Sequence, residues 1–87
     1  MKIKEGFVIR EVAGQSVVIA LGAAAKSYNG MIRLNDTAKL IWQCLEKGQD
    51  KDAIVDAILS EYDVDRELAE NDFDKFINAL IGANIIE

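Results

Sequence analysis

The sequence predicts an α+β fold in which three β-strands precede three α-helices. Up to Leu34, three short runs (7–12, 16–21 and 30–34) are rich in residues that favour strands. After Leu34, apolar residues recur at helical spacing in three stretches, and each stretch follows an Asn or Asp that can cap a helix. Strands followed by a run of helices indicate an α+β domain rather than an alternating α/β one.

The first two strands are expected to form a hairpin. Between residues 7–12 and 16–21 lies the link Ala13-Gly14-Gln15, whose length suits a hairpin loop with Gly14 at positive φ. Gly22 ends the second strand. Residues 23–26, Ala-Ala-Ala-Lys, have high helix propensity but are too few for more than a helical turn or a loop.

The third strand fits Gly30–Leu34. Side chains alternate between the two faces of a strand, so Met31 and Arg33 share one face, and Ile32 and Leu34 share the other. The purely apolar pair is expected to face the core. Because this strand is the last before the helices, we expect it to leave one edge unpaired, where another peptide can add on.

Each helix has a cap and an apolar face. The first is capped by Asn35 or Asp36, the second by Asp50, and the third by Asp65. The buried stripe of the first consists of Ala38, Ile41, Trp42 and Leu45.

The third helix is expected to run to about Ala83, with Asn84 in the left-handed turn that ends it and Ile85-Ile86 folding back onto the core. Its apolar arc is wide enough to contact both the core and something beside it. This arc consists of Phe73, Phe76, Ile77, Leu80 and Ile81.

Composition excludes several classes of function. The net charge of −5, from 10 basic and 15 acidic residues, argues against nucleic-acid binding, which needs a basic face. No apolar run approaches the ~18 residues of a membrane span, and the N-terminus lacks the apolar core of a signal peptide. One cysteine allows no internal disulfide, so we expect a cytoplasmic location. The 87 residues are expected to form a single domain, 1–87.

The sequence shows no catalytic apparatus. It lacks histidine, the commonest general base and metal ligand, and no phosphate-binding glycine loop is present. Cys44 lies mid-helix with no feature to lower its pKa, so we expect it to be structural. The acidic stretch from Asp63 to Asp74 lacks the spacing and the glycine of a Ca²⁺ loop. We therefore expect a binding module and not an enzyme, with no metal and no cofactor.

Several segments together resemble the PqqD family (pyrroloquinoline quinone biosynthesis protein D), also called the RiPP recognition element. RiPPs are ribosomally made, post-translationally modified peptides. The resemblance extends from about Phe7 to Ile86. The segments that carry it are Asn29-Gly30-Met31-Ile32-Arg33-Leu34-Asn35-Asp36-Thr37-Ala38, Trp42 and Leu45, Glu61-Tyr62-Asp63-Val64, and Leu80-Ile81-Gly82-Ala83-Asn84-Ile85-Ile86.

The resemblance implies a winged-helix-like domain, a three-stranded antiparallel sheet against three helices. Members bind the leader segment of a precursor peptide and deliver it to a modifying enzyme, often a radical S-adenosylmethionine enzyme. The leader adds as a fourth strand beside the third strand and packs in the groove between that strand and the third helix. Ala38 and Asn84 stand where members often have Gly. Ala38 has a higher helix propensity than Gly, and Asn84 can still adopt the left-handed backbone conformation that Gly would supply.

The expected peptide site combines the open edge with the third helix. About five backbone hydrogen bonds would give roughly 3–7 kcal/mol, which cannot offset the cost of association and still reach the −8 kcal/mol or so of micromolar binding. The helix must therefore bury leader side chains as well, and Arg33 and Lys75 are candidates to pair with an acidic leader residue. The expected site residues are Asn29, Gly30, Met31, Ile32, Arg33, Leu34, Phe73, Lys75, Phe76, Ile77 and Leu80.

Other functions stay open at this stage. A winged-helix DNA binder would share the fold, although the acidic helix faces would meet phosphates. A structural, homo-oligomeric domain is the other alternative, and a homodimer through the open edge could compete with leader binding.

Overall fold

A three-stranded antiparallel sheet and four helices make up the computed structural model, which describes residues 1–27 and 30–87. The strands lie in the order β1-β2-β3, and the α+β prediction is confirmed. The third helix expected from the sequence is α4, and the expected helical turn after β2 is the four-residue α1. The elements are β1 (Phe7–Val12), β2 (Gln15–Ala20), α1 (Ala24–Ser27), β3 (Met31–Leu34), α2 (Asp36–Glu46), α3 (Lys51–Glu61) and α4 (Arg66–Gly82).

The β1–β2 turn is one residue shorter than expected. Val12 pairs directly with Gln15, so only Ala13 and Gly14 form the loop. Both have positive φ, +53° and +79°. Two successive residues with positive φ give the type I′ twist that matches the twist of the strands. Alanine seldom adopts such a conformation, which is why the sequence pointed to a longer link.

The helix caps agree with the sequence. The side chains of Asn35, Asp50 and Asp65 each accept a hydrogen bond from the backbone N–H three residues on, at 2.8, 2.9 and 2.8 Å. Asn35 rather than Asp36 therefore caps α2. Asn84, just past α4, has φ +61°, as its left-handed role requires.

The core lies between one face of the sheet and helices α2, α3 and α4. Trp42, Ile54 and Leu80 are fully buried at its centre. Its buried members are Val18, Leu34, Ile41, Trp42, Cys44, Leu45, Ile54, Val55, Ile58, Ala69, Phe73, Ile77, Leu80, Ile85 and Ile86.

The C-terminal residues do fold back onto the core. Ile85 and Ile86 are buried, and Ile86 forms a β-bridge with Ile3. The Lys4 N–H donates to the Ile85 carbonyl at 2.8 Å, so the N-terminal segment also holds the end of α4 in place. Among the residues described, no helix is long and apolar enough to cross a membrane.

Candidate functional site

The free edge of β3 is the first component of the site. β3 pairs only with β2, in a register that sets Leu34 opposite Ser16 and Met31 opposite Ile19. It therefore forms one end of the described sheet. Along an antiparallel strand, alternate residues direct their N–H and C=O groups to the same side. Two of the four residues of β3 thus offer about four hydrogen-bonding groups to a further strand.

A groove of about 260 Å³ runs beside this edge. Its walls are the end of β3, the first turns of α2 and one flank of α4. Its lining combines apolar, hydroxyl and charged groups, so it suits a mixed ligand better than a purely apolar one. The lining residues are Arg33, Asn35, Thr37, Ala38, Ile41, Asp72, Lys75 and Phe76.

The three sides of α4 have different surroundings. The inward side belongs to the core, with Phe73, Ile77 and Leu80 exposed by 2%, 7% and 0%. Asp72, Lys75 and Phe76, at a spacing of three and four residues, face the groove. Ile81 is 56% exposed and does not belong to that spacing. The sequence alone left open which flank of the arc faces the groove, and the structure places Phe76 there.

The predicted site residues fall into three groups. Arg33, Lys75 and Phe76 meet in the groove. Gly30 and Met31 are exposed at the start of β3, and Ile32 is half-buried beneath them. Leu34, Phe73, Ile77 and Leu80 are core residues outside the described groove lining, so a direct contact between a peptide and these side chains stays a prediction. Asn29 lies outside the described residues.

Sequence reasoning missed part of the groove lining. Asp72 precedes Phe76 by one helical turn, and this spacing could have placed it on the same flank. Thr37 and Ala38 form the first turn of the helix that begins directly after β3, so chain proximity could have indicated them. Ile41 was expected in the core, where it lies, but it also reaches the floor of the groove.

The charges of the groove have no ion-pair partner among the described residues. The ion pairs that form elsewhere in the described residues join Lys39 to Glu11, Lys51 to Asp74, and Arg66 to Asp56 and Glu70. Within the part of the chain that the structure describes, the charges of Arg33, Lys75 and Asp72 are therefore unpaired. Two cations and one anion make the groove locally basic on a chain whose net charge is −5.

The described residues show no reactive centre at or near the groove. Burial raises the pKa of the Cys44 thiol, and the nearby Lys47 only partly opposes that shift. A thiol with a raised pKa is a poor nucleophile at neutral pH. No cluster of three or more potential metal ligands occurs within residues 1–27 and 30–87. What the arrangement offers is hydrogen bonding, apolar contact and charge.

Sheet, helices and groove define an α+β domain in which the last strand and the last helix form two walls of one site. Within that class, the chain belongs to the PqqD family: the family described as coenzyme PQQ synthesis protein D (PqqD) matches residues 9–86. The resemblance noted in the sequence is thereby confirmed. No curated protein sequence matches the chain.

Two solved structures share the fold over nearly the whole chain. The first is TbiB1 in complex with the TbiA(beta) leader peptide, with a TM-score of 0.80 and 32% identity over 100% of this chain and 95% of that one. The second is a lasso peptide synthetase B1 complexed with the leader peptide, with a TM-score of 0.76 and 25% identity over 98% of this chain and 93% of that one. Both of these similar proteins were thus solved with a leader peptide bound.

Proposed function

We propose that residues 1–87 form one non-catalytic adaptor domain that captures the leader of a ribosomally made precursor peptide. The leader adds as a fourth strand to β3, and the domain presents it to a modifying enzyme, such as a radical S-adenosylmethionine enzyme, in the cytoplasm. The observation that carries the proposal is the free edge of β3 directly beside the groove formed with α4. The leader peptides bound to the two similar proteins support it. The domain needs no cofactor for this role.

Energies indicate that edge and groove act together. About four backbone hydrogen bonds to β3 contribute roughly 2–6 kcal/mol net. Ordering a flexible peptide and losing its free motion costs at least about 4 kcal/mol, so the edge alone binds weakly. Burying one or two leader side chains against Phe76 and Ala38 adds about 1.5–3 kcal/mol each. Micromolar affinity, about −8 kcal/mol, therefore requires the groove.

The groove charges select the peptide rather than hold it. Arg33 and Lys75 can each pair with an acidic side chain of the leader, and an exposed pair contributes only about 0.2–1 kcal/mol. Asp72, on the same flank, disfavours a second carboxylate nearby and so fixes the register of the added strand.

The buried residues of the predicted site support peptide binding indirectly, by fixing the positions of α4 and β3. Phe73, Ile77 and Leu80 fix the inward side of α4 to the core, which keeps Phe76 and Lys75 at a constant distance from β3. Leu34 anchors the end of β3 in the same way. We propose that these residues position the site and that the exposed groove residues contact the peptide.

Titration with synthetic peptides tests the proposal. A candidate precursor peptide would be divided into its leader and core segments, and each would be added to ¹⁵N-labelled protein. We expect micromolar or tighter binding of the leader alone. Chemical shift changes should concentrate in residues 30–34 and 72–76. Equal binding of the core segment, or changes confined to α3, would contradict strand addition at β3.

The same edge can pair with a second copy of the chain. An unpaired strand is a common route to self-association, so we propose that any homodimer uses β3 and that the leader competes with it. Light scattering with and without leader should then show a shift from dimer to monomer. A dimer that persists at saturating leader would place its interface elsewhere.

A further inference from the structure

The face of the sheet that turns away from the helices is a second distinctive surface. Side chains alternate along each strand, and the inward set, such as Ile9, Val18 and Ile32, packs with the core. The outward set does not belong to the core cluster or to the residues packed against it. This outer face consists of Val8, Arg10, Val12, Val17, Ile19, Met31 and Arg33.

Two cross-strand rows organise the outer face. In one, Val8, Ile19 and Met31 lie side by side on β1, β2 and β3, and Met31 is 55% exposed. In the other, Arg10 and Arg33 flank Val17. The face thus presents an aliphatic row beside a row that ends in Arg10 on β1 and in Arg33 on β3. Because β3 is the edge strand, Arg33 borders both the outer face and the groove beside α4.

Val17 is 2% exposed although it lies outside the core cluster. Its cross-strand neighbours are Arg10 and Arg33, and the aliphatic stem of an arginine can cover a small residue while its guanidinium group stays in water. Arg10 donates from Nη1 to the Ile9 carbonyl at 2.9 Å, and neither arginine has an acidic partner within the described chain.

The outer face is continuous with the proposed peptide site. If the leader adds beside β3, every second leader side chain projects on the outer face and extends the two rows by one position. A protein seated on Met31 and Arg33 would therefore touch the bound leader as well. This surface exists in full only when the leader is bound.

We propose that the outer face is the docking surface for the enzyme that modifies the bound peptide, and that the enzyme presents an aliphatic side chain flanked by carboxylates to it. The inference rests on the proposed function. Continuity with the bound leader selects this occupant, and two arginines without an acidic partner in the described residues favour carboxylates on its surface. A second copy stacked on the same face would bring arginine against arginine. Continuity with the leader makes the enzyme favour the loaded adaptor over the free one.

Arg10→Glu is the variant that separates docking from leader capture. β1 lies three strand spacings from the added leader strand, or about 14 Å, which exceeds the screening length of about 8 Å at physiological salt. Leader affinity should therefore change less than about twofold. Lys47→Glu is the matched control, because it makes the same charge change at the C-terminal end of α2, in the helical layer on the other side of the sheet.

The experiment measures two affinities for each protein. The affinity for the leader is measured by fluorescence anisotropy, and the affinity for the enzyme that modifies this leader is measured by surface plasmon resonance at saturating leader. We expect Arg10→Glu to weaken enzyme binding about tenfold or more, since it sets like charges against each other. The loss should shrink at high salt. Lys47→Glu should leave both affinities unchanged, and circular dichroism verifies that each variant is folded.

The outcomes distinguish the two proposals. If the wild-type chain does not bind leader, the proposed function fails and this inference fails with it. If leader binds but Arg10→Glu leaves enzyme affinity intact, or Lys47→Glu lowers it equally, only the docking surface is overturned. Self-association abolished by Arg10→Glu in the absence of enzyme would reassign the face to a second copy and also overturn the proposal.

Discussion

Phe76 offers the sharpest single test of the groove. It is the half-buried aromatic side chain on the flank of α4 that faces β3. Fully burying such a side chain contributes about 1.5–3 kcal/mol. Because no more than about a third of Phe76 remains to be covered by a peptide, Phe76→Ala should cost about 0.5–1 kcal/mol of binding, or roughly two- to fivefold in Kd.

The assay is isothermal titration of the leader into each variant, with urea denaturation in parallel. Phe76→Ala should also lower the free energy of unfolding by about 2–3 kcal/mol, less than the ~3–5 kcal/mol of a fully buried phenylalanine such as Phe73. Ile81→Ala is the matched control, since Ile81 is 56% exposed on the same helix but outside the groove. Unchanged affinity in Phe76→Ala, or an equal loss in Ile81→Ala, would refute the assignment of the groove.

Four further predictions follow from individual residues. Arg33→Glu should weaken binding of an acidic leader by at least the ~0.2–1 kcal/mol of an exposed pair, and titrations at high salt should remove most of the difference. Asp65→Ala removes the cap of α4 and should cost about 1 kcal/mol of stability in urea denaturation, whereas Asp65→Asn should retain most of it. Ala13→Asn places Asn-Gly in the type I′ turn and should raise thermal stability, by up to about 1 kcal/mol; a decrease would contradict the turn conformation. The buried Cys44 thiol should react with a maleimide only slowly until denaturant is added. Because burial raises its pKa, the stability advantage of wild type over Cys44→Ala should shrink as pH rises above about 8.5.

Local signals in the sequence predicted the elements well. The caps Asn35, Asp50 and Asp65 are read from short-range chemistry, because each side chain bonds to the backbone three residues on. The alternation in β3 correctly placed Leu34 inward and Met31 outward. Such features depend on a few neighbouring residues, so no knowledge of the tertiary structure is needed to find them.

Tertiary features were harder to predict. The arc of α4 is apolar over more than one side, so periodicity alone could not decide whether Phe73 or Phe76 faces the groove. That choice depends on where β3 lies, which is set by packing across the whole core. The β-bridge between Ile3 and Ile86 joins opposite ends of the sequence, and no local sequence pattern predicts it. The hairpin loop was predicted one residue too long. Ala13 has positive φ, a conformation that alanine seldom adopts and that fits the twist of the two strands.

The division of α4 into an inward and a groove side has a consequence for how this protein can diversify. On α4, Phe73, Ile77 and Leu80 pack in the core, whereas Asp72 and Phe76, each next to one of these core residues, line the groove that we propose for recognition. Exchanging an exposed groove residue such as Lys75 usually alters stability by no more than about 0.5 kcal/mol, whereas exchanging the half-buried Phe76 costs more. In the proposed strand addition, the main-chain hydrogen bonds at β3 contribute affinity, and the side-chain contacts in the groove contribute specificity. Under this proposal, a few substitutions in the groove would change which peptide binds, while the core residues remain the same.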